Sequence, residues 1–138
     1  MSNTSHGLSL VRAVELNLNI EQAFDLISGG KVFELTGANS IRSDFVKAGR
    51  FKLGFEDRGS ISGQFKTIDR PGLIEISWDV SGFGRPNEHS KVTFSFKRSD
   101  ETKTMLEVKH GQILSQESLD TKIRAWTEIL SELLYGQK

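Results

Sequence analysis

Ser115-Gln116-Glu117-Ser118-Leu119-Asp120-Thr121-Lys122-Ile123-Arg124-Ala125-Trp126-Thr127-Glu128-Ile129-Leu130-Ser131-Glu132-Leu133-Leu134 decides the fold. Leu119, Ile123, Trp126, Leu130 and Leu133 recur at spacings of three and four, and Ile129 and Leu134 widen the stripe. That is the period of an amphipathic helix. Ser115 or Gln116 precedes Glu117, which puts negative charge in the first turn, and Gly136 is a stop. Roughly 20 helical residues span about 30 Å. An apolar stripe of that length, with Trp126 at its middle, needs a sheet to cover it.

The chain upstream supplies one. Leu8 to Leu18 alternates, with Leu8, Leu10, Val14, Leu16 and Leu18 on one parity. Asn19 then offers a helix N-cap, Glu21 charges the first turn, and Ala23, Phe24 and Ile27 form a helical face that Gly29-Gly30 ends. Val32, Phe33 and Leu35 suit one further short turn of helix. From Ile41 to Val46 onward the pattern is of short strands. Phe51, Leu53 and Phe55 alternate, as do Ile61, Gly63, Phe65 and Thr67, then Ile74, Ile76, Trp78 and Val80. Val92, Phe94 and Phe96 form another face, and Thr104, Leu106, Val108 and His110 the last. Asp57–Ser60, Asp69–Gly72 and Ser99–Glu101 are turn chemistry, and the Gly/Pro/Asn stretch from Ser81 to His89 reads as a loop. Short strands joined by tight turns predict an antiparallel meander. The expected class is therefore α+β, a helix-grip fold. About six to seven strands curve around the C-terminal helix, with one or two short helices after the first strand. Residues 1–7 are expected as a disordered tail and 8–138 as one domain.

Eighteen basic residues balance eighteen acidic ones. A nucleic-acid partner is not expected, because phosphate recognition needs excess positive charge. The absence of cysteine removes disulfides, thiolate zinc sites and cysteine nucleophiles. No apolar run approaches the roughly 20 residues of a membrane span, and no secretory signal is visible. A cytoplasmic protein is expected, as monomer or homodimer.

Several motifs then fall in a familiar order. Leu16-Asn17-Leu18-Asn19-Ile20-Glu21-Gln22-Ala23-Phe24 combines strand, cap and helix. Asp44-Phe45-Val46-Lys47-Ala48-Gly49-Arg50-Phe51 is similar to an Asp-x-x-x-Gly-Gly-x-Phe segment, with Ala48 in place of the first glycine. Gly63-Gln64-Phe65-Lys66-Thr67-Ile68-Asp69-Arg70-Pro71 is followed by Ile76-Ser77-Trp78. Thr104-Met105-Leu106-Glu107-Val108-Lys109-His110-Gly111 and Ala125-Trp126 with Leu130 and Leu133 complete the set. The chain resembles the START-like (SRPBCC, birch-pollen-allergen-like) superfamily, and within it the homologues of the heat-shock-chaperone ATPase activator. One departure stands out: the stretch between Gly30 and Ile41, which in that family usually carries tryptophan, has Phe33 instead. The resemblance implies a cavity between sheet and last helix, and relatives that include chaperone cofactors, lipid and hormone binders and cyclases.

Phe24, Phe51, Phe55, Phe65, Trp78, Phe94, Phe96 and Trp126 sit on predicted inward faces. Most are core on the simplest reading, and a subset lines a cavity on the functional one. Phe33 and Leu130 join them as candidate ligand contacts. Polar residues on inward parities are more telling, because burying one unpartnered costs about 1–3 kcal/mol. Arg12 is read either as a strand arginine reaching solvent or as a guanidinium orienting a ligand. His110 is read either as a structural, hydrogen-bonded histidine or as a ligand group and general base. Thr67 and Thr104 are weaker polar candidates. The three histidines lack metal-site spacing, and no catalytic set is evident, so neither metal nor cofactor is expected. The first functional reading is therefore binding of a small apolar or amphipathic molecule. The second is a protein-interaction module such as a chaperone cofactor. The third is a cyclase- or hydrolase-type enzyme built on His110.

Overall fold

A computed structural model describes residues 7–136. Most of the expected N-terminal tail, with His6, lies outside the described residues. The chain runs β1 (Leu8–Leu16), α1 (Ile20–Ser28), α2 (Lys31–Glu34), β2 (Ser40–Ser43), β3 (Arg50–Phe55), β4 (Gly59–Asp69), β5 (Leu73–Gly82), β6 (Arg85–Asp100), β7 (Lys103–Ile113) and α3 (Gln116–Tyr135). All strands join one antiparallel sheet of seven, in the order β1-β7-β6-β5-β4-β3-β2. Its inner face holds α3. The α+β helix-grip architecture read from the sequence is the one observed.

Local chemistry sets the helix ends. The Asn19 side chain accepts from the Gln22 amide at 2.8 Å, and the Gln22 side chain accepts from the Asn19 amide at 3.1 Å. This reciprocal box satisfies two otherwise orphaned donors. Ser115 caps α3 by accepting from Ser118 N at 3.1 Å. Arg70, in the β4–β5 turn, bonds both Asp25 carboxylate oxygens at 3.1–3.3 Å and lies over the Phe24 ring, so it pins α1 to the sheet.

The core is continuous. Leu16, Leu53, Ile76, Val92, Leu106 and Leu133 are fully buried, and Phe24, Phe51, Phe65, Phe94, Phe96 and Trp126 pack among them. Gly63 is required by close approach: a Cβ there would run into the Ser77 carbonyl and the Phe51 ring.

Three readings change. The stretch from Ser81 to His89 is not an open loop. β5 and β6 continue as a paired ladder, Asp79 opposite His89 and Val80 opposite Glu88, closed by a tight turn in which Gly82, Phe83 and Gly84 all take positive φ. Its polar residues suggested a loop because one side of this ribbon faces solvent. Thr67 does not face inward. The register shifts between Phe65 and Thr67, so the side-chain alternation slips by one; Thr67 bonds Glu75 on the outer face at 2.7 Å, and Ile68 turns inward. The strand expected over Ile41 to Val46 is β2 alone, and Val46 lies exposed in the loop beyond it. In that loop Ala48, which stands where the resembling family has glycine, has φ 68°.

Candidate functional site

Between α3 and the sheet end formed by the β3–β4 and β5–β6 turns lies a cavity of about 510 Å³. That volume is within the range of small-molecule sites. Its apolar wall is Phe55, Ile61, Trp78, Val80 and Phe83 from the sheet, Leu35 after α2, and Trp126 and Ile129 from α3. Ala125 leaves room on the helix side. Arg58, Arg85, Glu88, Ser118, Lys122 and Glu128 supply the polar part of the lining.

Two polar networks stand against this space. The first lies behind the wall. The Trp126 indole N–H donates to His110 Nδ1 at 2.9 Å, which leaves the neutral ring its proton on Nε2. Nε2 lies 2.7 Å from Ser90 Oγ and donates to it, and the Ser90 hydroxyl donates to the Trp78 carbonyl at 3.0 Å. One tautomer therefore satisfies the whole chain from Trp126 to Trp78, the two rings that floor the cavity. His110 is fully buried. Burial, then the Lys122 charge, push its pKa from 6.5 down to about 3, with Glu88 opposing in part.

The second network faces the cavity. Lys122 Nζ donates to Glu88 Oε1 at 2.7 Å and to Ser118 Oγ at 2.9 Å, and Ser118 donates to Glu88 Oε2 at 2.6 Å. Burial raises the cost of the Glu88 charge, but the bonds from Lys122 and Ser118 outweigh it and hold the carboxyl below its ordinary range. Among the described residues no buried side-chain nitrogen or oxygen lacks a partner.

Ser90 and His110 are at hydrogen-bond distance, yet His110 Nε2 carries the proton and cannot act as base toward that hydroxyl. Trp126, not a carboxylate, orients the other ring nitrogen, and neither Ser90 nor His110 lines the cavity. Among the described residues no three His, Asp or Glu side chains gather where they would hold a metal ion.

Of the ligand contacts expected from sequence, Trp78 and Trp126 line the cavity. Phe33, Phe65 and Phe94 instead surround a separate void of about 10 Å³, scarcely room for one water. Phe24, Phe51, Phe96 and Leu130 are core. Arg12 is exposed, its guanidinium turned onto the neighbouring Val11 carbonyl at 2.9 Å. Thr104 ties β7 to Leu18 O at 2.9 Å. Sequence reasoning missed Arg58, Phe83, Arg85, Glu88, Ser118 and Lys122. A signal for two of them existed: Ser118 and Lys122 precede Trp126 at steps of four, on the buried face of α3.

Residues 17–134 match the family described as activator of Hsp90 ATPase homolog 1-like protein. The chain belongs to that family. Solved structures carry the same fold. An HSP90 activator from Plasmodium falciparum is 24% identical with TM-score 0.71, covering 88% of this chain and 89% of that one. The Aha1 dimer from Colwellia psychrerythraea is 12% identical with TM-score 0.76, over 94% and 96% of the two chains. CalU16 from Micromonospora echinospora is 16% identical with TM-score 0.66, over 94% and 76%. At these identities the likeness is one of fold. No curated protein matches the chain. Among the described residues no helix is long and apolar enough to cross a membrane.

Proposed function

We propose that this family member binds a small amphipathic molecule in the cavity between its sheet and α3. One observation carries the reading: a space of about 510 Å³ with an aromatic and aliphatic wall and a few convergent polar groups. A cavity of that composition favours a ligand with an apolar body and a polar end. The His110 network supports it by fixing the orientation of Trp126, so the wall is set before a guest arrives. Titration with N-phenyl-1-naphthylamine, followed by energy transfer from Trp78 and Trp126, tests the reading. Saturable binding that weakens at least about tenfold in Ala125→Phe is expected, because the new ring occupies the helix side of the space. No saturable binding, or equal binding by the filled variant, counts against it.

The family description favours a second reading, a protein partner of the Hsp90 kind. The Plasmodium relative carries the name of such an activator. Adding the chain to an Hsp90-type chaperone should raise its ATPase rate if this holds, and an unchanged rate at stoichiometric excess speaks against it.

A further inference from the structure

We infer that the cavity's ligand carries a carboxylate, which Arg58, with Arg85 beside it, holds at the mouth while the apolar body lies against Trp78, Val80 and Ile129. The inference rests on the cavity being a binding site. It follows from how the charges around that space are spent. Inside, Glu88 and Lys122 neutralise one another, and each Glu88 oxygen already accepts a bond, one from Lys122 and one from Ser118. That network leaves no net charge for a ligand to meet.

The mouth differs. Arg58 sits in the β3–β4 turn and Arg85 opens β6, and the two turns are tied together. Phe83 N donates to Arg58 O at 2.7 Å, and Gly59 pairs with Gly82. Both arginines line the cavity. Arg85 meets Glu117 at 3.6 Å, a contact between exposed groups that contributes little. Among the described residues Arg58 has neither an acidic partner nor a side-chain hydrogen bond. Its guanidinium is 5.6 Å from the centroid of the Phe55 ring. Stacking of this kind holds the group in place and leaves its N–H donors unspent. A planar fork of donors beside an apolar wall matches a carboxylate, which accepts two parallel bonds. An alcohol or ester offers a poorer match, and an ammonium is repelled. The remaining acid of the lining, Glu128, is exposed on α3 and makes no ion pair with Arg58.

Competition against bound N-phenyl-1-naphthylamine near neutral pH tests this, with decanoate and decanol as matched competitors. Arg58→Gln should weaken decanoate by about tenfold while changing decanol by less than about twofold. Arg58→Lys, which keeps the charge but not the fork, should restore part of the loss. Equal changes for both competitors, or none for decanoate, overturn the inference and leave the proposed function standing. A wild-type cavity that binds the neutral probe but admits neither competitor also overturns it. No binding of the probe itself removes the proposed function and this inference together.

Discussion

His110 should make the fold lose stability between pH 7 and pH 5, mostly above the range where carboxylates titrate. In the unfolded chain the ring titrates near its ordinary 6.5, and in the fold near 3. Between those values the unfolded state binds the extra proton, so stability is full above pH 6.5 and falls as pH drops toward 3. The slope approaches about 1.4 kcal/mol per pH unit, which amounts to about 2 kcal/mol between pH 7 and pH 5. His110→Asn removes the titration while keeping a side-chain oxygen for the Trp126 N–H. Ser90 retains its bond to the Trp78 carbonyl. The variant should therefore start about 1–3 kcal/mol lower at pH 7, from lost packing and the lost Ser90 contact, and then stay nearly flat. Urea unfolding of both proteins at pH 7 and pH 5 gives the comparison, since everything the two chains share cancels. A wild-type protein as stable at pH 5 as at pH 7, or a variant with the same slope, would refute the locked-neutral histidine.

Other substitutions probe the remaining elements. Ala48→Gly should stabilise by about 0.5–1 kcal/mol, because the left-handed backbone there costs an alanine more than the glycine's added unfolded-state entropy takes back; a lowered urea midpoint would contradict it. Lys122→Met should cost about 2–4 kcal/mol in chemical unfolding, since it leaves Glu88 charged and half-satisfied in a mostly buried place. The Glu88 share of stability is present above the ordinary carboxyl pKa and lost as pH falls through the lowered one, so the loss in Lys122→Met should shrink in acid. Asn19→Ala removes one arm of the capping box and should cost about 1 kcal/mol, read as a thermal shift.

How much of this was legible depended on whether a side chain's surroundings lie close in sequence. The α3 stripe, the Asn19 cap and most of the strand alternations are local patterns, and they stand as read, with Leu8, which is exposed, and the stretch of β4 beyond Phe65 excepted. Trp126 and Trp78 could be placed inward, but not on the same side of a cavity, because that depends on a sheet order spanning the whole chain. One added residue at the bulge turns Thr67 to the outer face, which no alternation rule sees. Glu88 was hidden by the composition of its own segment. Had β6 been extended backwards from Val92, the parity through Ser90 to Glu88 would have put both polar groups inside. His110 was visible as an inward polar group. Its partners were not, since Trp126 and Ser90 reach it from two other elements.

With saturating N-phenyl-1-naphthylamine, intermolecular nuclear Overhauser effects from the naphthyl protons should reach Trp78, Val80, Trp126 and Ile129, whose side chains wall the cavity. Contacts confined to the outer face of the sheet, or to exposed apolar residues such as Val11 and Met105, would contradict a cavity that binds.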